Sequence, residues 1–252
     1  MTGAGSSGPG VGTGKAISVQ FAQEGARVVL VDKFEDRAKE TLALIEAEGA
    51  EAVVVVADLA DISAGQAVVD AAVRAFGGVD ILINNAAIAS GTNILDTTPE
   101  LYQQILAVNL TAPVMLTKAA LPVMVERGGG SILNVISIAA LRGQGTRGQT
   151  AYAVSKAGLV GLMVDVMDTF GKQGVRINCV APGIIDTPMR NASIIAGGYD
   201  PATLDLSYKT ALPYEGDAWD IARAALFLAG PDGRYITGVV LPVDGGTTAA
   251  SR

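Results

Sequence analysis

A tyrosine and a lysine stand four residues apart in Tyr152-Ala-Val-Ser-Lys156. On a helix this spacing puts both side chains on one face. A phenol beside an ammonium is a good proton donor and acceptor. The positive charge favours phenolate and pulls the tyrosine below its usual pKa of about 10. Earlier in the chain an apolar run, Ser131-Ile-Leu-Asn-Val-Ile136, ends at Ser137. A hydroxyl at the end of a neighbouring strand can polarise a carbonyl held between it and the tyrosine. The same residues also suit a plainer arrangement, a helix with Tyr and Lys on its wet side and a serine that closes a turn. The choice between them rests on the rest of the chain.

Composition narrows the chemistry. The 252 residues include no histidine, which removes Ser-His-Asp and Cys-His catalysis. It also removes most zinc sites, because Cys179 alone cannot replace the missing ligands, and no metal is expected. Any general acid or base must be Asp, Glu, Lys, Tyr or the N-terminal amine. A single cysteine allows no internal disulfide and fits a reducing cytoplasm, the expected location. The net charge of -7, with no basic run, argues against a nucleic-acid partner. No uninterrupted apolar stretch of about 20 residues is present, so no membrane span is expected. A charged segment followed by an apolar one is missing at the N-terminus, so no signal peptide is expected.

The elements that must hold these side chains read as strand and helix in alternation. Apolar β-rich runs fall at residues 27–31, 52–56, 79–83, 131–136, 175–180 and 239–243. Helical patterns lie between them at about 15–24, 35–48, 64–76, 101–126, 152–171 and 218–228. Near-continuous Val/Ile/Leu runs suit strands buried on both faces. Their alternation with helices predicts an α/β fold, one doubly wound, Rossmann-like parallel sheet with helices on both faces. No linker or repeat divides the chain, so residues 1–252 read as a single domain for dinucleotide binding and catalysis. Residues 189–215 are the least regular stretch and read as a substrate lid.

The chain opens on glycines, Thr2-Gly-Ala-Gly-Ser-Ser-Gly-Pro-Gly-Val-Gly-Thr-Gly14-Lys. A Walker-type phosphate loop would need glycine at Pro9 and a hydroxyl at Ala16, and fails. A dinucleotide loop needs glycines for close backbone approach and a helix N-terminus for the pyrophosphate. Gly12-Thr13-Gly14, directly before a helical pattern, meets that need. The spacing of Gly3, Gly5 and Gly8 also matches formally, but Pro9-Gly10 blocks a helix there. A disordered glycine arm is the plainer alternative. Asp32 closes the next strand, where a carboxylate can accept hydrogen bonds from an adenosine ribose and repel a 2′-phosphate. It also stands where it can cap the following helix.

With these residues in place the chain resembles the short-chain dehydrogenase/reductases over essentially its whole length. The glycine loop, Asp32, Asp58-Leu59, Asn84-Asn-Ala-Ala87, Asn109, Ser137, Tyr152-xxx-Lys156, Pro182-Gly-Ile-Ile-Asp-Thr187 and Val243-Asp-Gly-Gly246 stand in the family's order. The resemblance implies that Tyr152 is the acid/base, that Lys156 lowers its pKa and binds the nicotinamide ribose, and that Ser137 polarises the substrate. It implies that Asn109 holds a water linking Lys156 to solvent; a buried Asn fixing a helix bend near Pro113 is the plainer role. Gly3, Gly12, Thr13 and Gly14 would meet the cofactor at the glycine loop. Asp58 and Leu59 would meet adenine, Asn85 and Ala86 would line the cofactor, and Ile185 and Thr187 would hold the carboxamide. The cofactor expected with Asp32 is NAD. The activity implied is hydride transfer with a small secondary alcohol or ketone; the alternative is a dinucleotide-binding regulator or scaffold with little or no turnover. The family also implies a homo-oligomer, most often a tetramer built on the long helices at 101–126 and 152–171, with Leu159, Leu162, Met163 and Val166 expected on their second apolar face; the plainer alternative is that this breadth only packs against the sheet.

Three departures qualify the resemblance. The Ser137–Tyr152 loop carries Arg142 and Arg147 and is slightly long. The glycine loop is lengthened by Ser-Gly-Pro-Gly. The family's buried first strand is cut short, since only Met1 precedes Thr2. Five or six buried apolar side chains would contribute on the order of 10 kcal/mol gross, against a domain stability of about 5–15 kcal/mol. The expectation is therefore that Met1 is not the native start, or that other packing compensates, and that Met1–Thr2 stand in for the strand between 27–31 and 79–83.

Overall fold

The structure is a computed structural model, and it describes residues 1–89, 91–143, 148–196, 200–203 and 210–250. The strands in chain order are β1 (Val28–Asp32), β2 (Ala52–Val56), β3 (Ile81–Asn84), β4 (Gly130–Val135), β5 (Val175–Pro182), β6 (Ile185–Asp186), β7 (Gly216–Asp217) and β8 (Val240–Val243). The helices are α1 (Thr13–Gln23), α2 (Glu35–Ala47), α3 (Ala64–Phe76), α4 (Pro99–Leu106), α5 (Ala112–Glu126), α6 (Thr150–Phe170), α7 (Pro188–Ala196) and α8 (Ala218–Ala229). All the strand pairs among the described residues are parallel.

β1 pairs with β2, and β3, β4, β5 and β8 form a second block in that order. Side chains alternate across this block, as a strand period of two requires. Leu82, Ile132, Ile177 and Cys179 pack with Leu116, Ala120, Leu159 and Met163 of α5 and α6. Ile83, Leu133, Val135 and Val180 pack on the other face with Ile17 and Phe21 of α1 and Ile221 and Ala225 of α8. The sheet is thus covered on both faces, which is why its strands read as unbroken apolar runs.

Met1 and Thr2 join the two blocks. The Met1 amine donates to Val29 O at 3.0 Å, and Val31 N–H donates to Met1 O at 2.9 Å. Thr2 bridges to Val31 in parallel sense and donates its N–H to Ile83 O at 3.1 Å. The sheet order is therefore β2, β1, Met1–Thr2, β3, β4, β5, β8, with two residues standing between β1 and β3 as expected.

Three details differ from the sequence pattern. The helix expected at 101–126 is interrupted by a π turn at Ala107–Thr111. Pro113 has no N–H to give to the carbonyl four residues back, so the regular ladder fails at Asn109. The insertion at 189–215 opens with an ordered helix, α7; residues 197–199 and 204–209 of it lie outside the described residues, as does Arg147. On α6, Leu159, Met163 and Val166 are buried toward the sheet and do not form a second face. Val154 and Val164 are the open apolar residues of that helix. Helices 99–126 and 150–173 reach a mean hydropathy of 1.4 and 1.3, high enough by length and composition for a membrane span. In this fold each lays one face on the sheet.

Candidate active site

Ser137, Tyr152 and Lys156 come together where β4 meets α6. β4 runs out at Val135, and Ser137 follows in extended conformation as the cap of a short 3-10 turn, Ile138–Ala140. Its Oγ accepts from Ala139 N–H at 3.1 Å, so the turn-closing role is real. The same hydroxyl is near enough to Tyr152, in the first turn of α6, to act on its phenol and lower its pKa. Both roles coexist, because a hydroxyl can donate once and accept twice.

Lys156, one turn further, is 2% exposed. Its Nζ donates to Val135 O at 2.8 Å and lies 5.7 Å from the centre of the Tyr152 ring. Burial pulls its ammonium down to about 8. Burial also raises the Tyr152 phenol, with the Ser137 hydrogen bond acting in the opposite sense. The tyrosine therefore moves opposite to the direction expected from its lysine. The ammonium is turned to the Val135 carbonyl, and the cost of placing a phenolate among protein atoms outweighs its help.

Asn109 sits in the π turn, fully buried. Its Oδ1 accepts from Ile88 N–H at 2.8 Å, and its Nδ2 donates to Ile88 O at 2.9 Å and to Ser155 Oγ at 3.2 Å. Ser155 in turn donates to Tyr152 O at 2.7 Å. The Asn109 amide thus clasps the backbone after β3 and braces α6 behind the tyrosine. Gly158 lets α6 approach this turn closely, since a Cβ there would stand 2.9 Å from Leu110.

The glycine loop lies beside this group. α1 starts at Thr13 with Gly12 as its cap and no side chain bonded to its first turn, so its N–H groups are free for an anion. Ser6 Oγ accepts from Gly12 N–H at 2.8 Å and shapes the added residues of the loop. A Cβ at Gly14 would stand 1.8 Å from Gly3 O, and one at Gly3 would stand 2.8 Å from Ala86 Cα. Only hydrogen fits at either place. These features fit a dinucleotide pyrophosphate.

The remaining expected contacts are placed as follows. Asp32 accepts from Gly5 N–H through one oxygen and from Phe34 N–H through the other, both at 3.0 Å. It is not the cap of α2, which is Phe34. Asn85 donates its amide to Thr2 O and Gly3 O at 3.0 and 3.1 Å, fastening the glycine loop to the end of β3. Asp58 is exposed and paired with Lys33 at 2.7 Å, and that hydrogen bond holds its carboxyl below the usual range. Leu59 is buried in the core. Ile185 is buried in β6, and Thr187 Oγ1 accepts from Arg190 N–H at 3.4 Å. Pro188 stands 3.7 Å from where Gly8 and Gly10 would carry a Cβ, which brings α7 over the loop.

Sequence reading missed Thr2 and Ser155. The Thr2 hydroxyl accepts from Asn85 N–H at 3.0 Å and Ala86 N–H at 3.2 Å and donates to Ile83 O at 3.2 Å. Their partners are distant in sequence. A hydroxyl beside Lys156 was the only available signal for Ser155.

A family model described as Enoyl-(Acyl carrier protein) reductase matches residues 9–248. The chain belongs to the short-chain dehydrogenase/reductase family. It is 36% identical over 236 residues to the 2,5-dichloro-2,5-cyclohexadiene-1,4-diol dehydrogenase LinX of Sphingobium indicum, covering 93% of this chain and 91% of that protein. It is 38% identical over 244 residues to an L-rhamnose 1-dehydrogenase (NAD(P)(+)) of Azotobacter vinelandii, covering 93% and 92%. A crystal structure from Burkholderia xenovorans, titled as a member of the family, superposes with a TM-score of 0.92 at 35% identity, covering 100% of this chain and 96% of that one. The chain is an oxidoreductase by this kinship.

Proposed function

We propose that the protein moves a hydride between NAD(H) and a secondary alcohol or ketone, with Tyr152 as the acid/base. The observation that carries the reading is Ser137 at the end of β4 and Tyr152 in the first turn of α6, set over a buried Lys156 and beside a glycine loop that admits no Cβ. The site stands beyond the carboxyl ends of the parallel strands, where open α/β sheets take their ligands.

A bound nicotinamide supplies the hydride acceptor or donor. Ser137 and Tyr152 present two hydroxyls to one substrate oxygen and stabilise the alkoxide charge that develops there. Tyr152 gives or takes the proton on that oxygen, and Lys156, near its titration range at neutral pH, favours the phenolate when it is charged. Asn109 and Ser155 hold α6 so that Tyr152 faces Ser137.

NAD is preferred over NADP because the Asp32 carboxylate meets a 2′-phosphate as a like charge. The test is kcat/KM for both cofactors over a panel of secondary alcohols. Equal values would confine Asp32 to its bonds with Gly5 and Phe34. Absence of turnover with either cofactor would leave a dinucleotide-binding protein. Val164 of α6, exposed beside a shallow hollow that Val160, Asp165, Met167 and Asp168 also line, supports a homo-oligomer, a tetramer by the family's habit. A stable monomer in sedimentation at micromolar concentration would refute it.

A further inference from the structure

A cavity of about 390 Å³ lies at the end of the sheet away from Ser137, where β3, β4 and β5 begin. Ile81, Ser131 and Arg176 stand abreast there, since Ile81 pairs with Ser131 and Ser131 with Arg176. Two residues on, Ile83 and Leu133 pack toward α1 and α8. The strand period of two turns Ile81 and Ser131 to that same face. Arg176 reaches from it to the Ala229 carbonyl at the end of α8, at 3.0 Å. On the other side the wall is bare backbone. Gly129 and Gly174 have positive φ, and a Cβ on Gly129 would stand 2.5 Å from Gly174 O.

Two donors on the floor of this cavity lack a partner. Ser131 is 4% exposed, and its Oγ has no hydrogen-bond partner among the described residues. A buried hydroxyl in that state is costly unless something meets it. Arg176 donates from Nη1 to Leu228 O and Ile236 O and from Nη2 to Ala229 O and Gly230 O. Four of its five N–H groups are thus engaged, and Nε–H has no partner among the described residues. Adjacent strands lie about 4.8 Å apart, close enough for one oxyanion to take both donors. Arg234 stands exposed at the lip and makes no ion pair among the described residues. Asp80, the one acid among the lining residues, is held by Arg127 at 3.0 Å. A chain of net charge -7 therefore presents an excess of cation here. Guanidinium and hydroxyl donors suit a carboxylate or a phosphate. At about 30 Å³ per water the cavity has room for more than a bare phosphate, and Ile81 and Pro231 give that remainder an apolar wall.

We propose that this cavity binds a small organic anion, a carboxylate or phosphate monoester on a compact apolar body, with Ser131 O–H and Arg176 Nε–H on the anion and Arg234 at the lip. The site is separate from the one proposed for hydride transfer. Six residues of β4 at about 3.3 Å each put Ser131 on the order of 20 Å from Ser137. The test is calorimetric titration of the full chain with benzoate, phenyl phosphate and inorganic phosphate, with and without NAD. One of the two organic anions is expected to bind once per chain, at least about fivefold tighter than inorganic phosphate through burial of its ring, and equally well in the presence of NAD. Ser131→Ala should weaken that ligand about tenfold to a hundredfold, the loss of a hydrogen bond to a charged group. Without ligand its melting temperature should hold or rise, because the hydroxyl removed has no partner; a serine kept for structure would lose stability instead. Arg234→Ala should weaken binding about twofold to fivefold, as an exposed charge does. No saturable binding of either organic anion overturns the proposal, as does equal affinity in Ser131→Ala. Displacement by NAD places the ligand at the glycine loop and overturns it too. Inorganic phosphate bound as tightly as phenyl phosphate leaves an ion site only and overturns the organic ligand. Failure of NAD to bind strikes the functional reading above and leaves this one standing.

Discussion

The sheet has two kinds of junction. β4 is held between β3 and β5 by continuous ladders, with Ile81 to Asn84 opposite Ser131 to Asn134 and Gly130 to Val135 opposite Val175 to Val180. The β1–β2 pair reaches this block through Met1 and Thr2. Ser137, Tyr152 and Lys156 hang from the first junction, and the glycine loop hangs from the second. The first junction also hides the Lys156 amine on Val135 O, where burial lowers it to about 8. The positions of Ser137, Tyr152 and Lys156 are thus fixed by many packed residues, and that of the glycine loop by a few hydrogen bonds and close approaches. Changes at the first junction should alter chemistry with the fold intact. Changes at the second should alter cofactor binding and stability together.

The largest effect belongs to Tyr152→Phe. It removes the hydroxyl proposed to transfer the proton and almost no volume. Turnover should fall by about 10²–10⁴-fold, the usual contribution of a positioned acid/base, while NAD affinity and melting temperature stay close to wild type. Retention of more than about a tenth of the rate would remove Tyr152 from the mechanism.

Next comes the pH dependence of stability at Lys156. Its ammonium is depressed from 10.5 to about 8 in the folded protein. The folded state therefore holds fewer protons than the unfolded one between these values, and stability rises with pH across that window. The penalty is fully present below about pH 8 and relieved as pH rises toward 10.5. At about 1.4 kcal/mol per pKa unit the gain is on the order of 3 kcal/mol at most. Cys179, raised from 9.0 to about 12 by burial, acts in the opposite sense above pH 9. Lys156 and Cys179 act on each other, so wild type and Lys156→Met are compared in a Cys179→Ala background. Urea denaturation at pH 7.5 and 9.5 should show a rise in wild type relative to the variant; parallel behaviour of the two would show that the lysine is solvated.

The two junctions were unequally legible in the sequence. Val28–Val31 and Ile132–Val135 are apolar runs, the second broken by Asn134, packed on both faces, so their pattern and their place in the order of elements were readable. The Tyr152–Lys156 pair was readable because helical spacing fixes it. The direction of the Tyr152 shift was not, because it depends on how many atoms surround the hydroxyl. The inward face of α6 was misread because that helix is apolar nearly all round, and periodicity cannot choose between Leu159 and Val160. The fastening of the glycine loop by Thr2 and Asn85 was illegible for another reason. Its partners are backbone groups far away in the chain, which leave no mark on residue type.

At the second junction Gly14→Ala should act through overlap. Its Cβ would fall 1.8 Å from Gly3 O and 2.8 Å from the Asn85 amide nitrogen, and the first of these is backbone. Overpacking of this kind costs about 1–3 kcal/mol. The loop should shift away from α1, so NAD affinity should drop by about fivefold to a hundredfold with a parallel loss of melting temperature. Affinity unchanged in a fluorescence titration would mean that the loop yields freely and that its close approach is incidental.

The smallest effect isolates one hydroxyl. Thr2→Val keeps the β-branched shape and removes the oxygen that accepts from Asn85 and Ala86 and donates to Ile83. Two amide donors and one carbonyl lose that partner in a place where Thr2 itself is 2% exposed. A buried polar group left unpaired costs about 1–3 kcal/mol, and local relaxation or entering water should hold the total to the lower part of that range. Thr2→Ser keeps the oxygen and loses only a methyl, so it should stay within about 1 kcal/mol of wild type. The difference between the two variants, read by urea denaturation, is the contribution of the hydroxyl to the junction. NAD affinity should follow the same order, wild type above Ser above Val, because Asn85 and Ala86 carry both the junction and the near wall of the cofactor loop. If Val and Ser lose equal stability, packing of the threonine methyl holds the seam and the hydrogen bonds do not. If stability falls in Val while NAD affinity holds, the glycine loop is positioned by α1 alone, and the contrast between the two junctions fails.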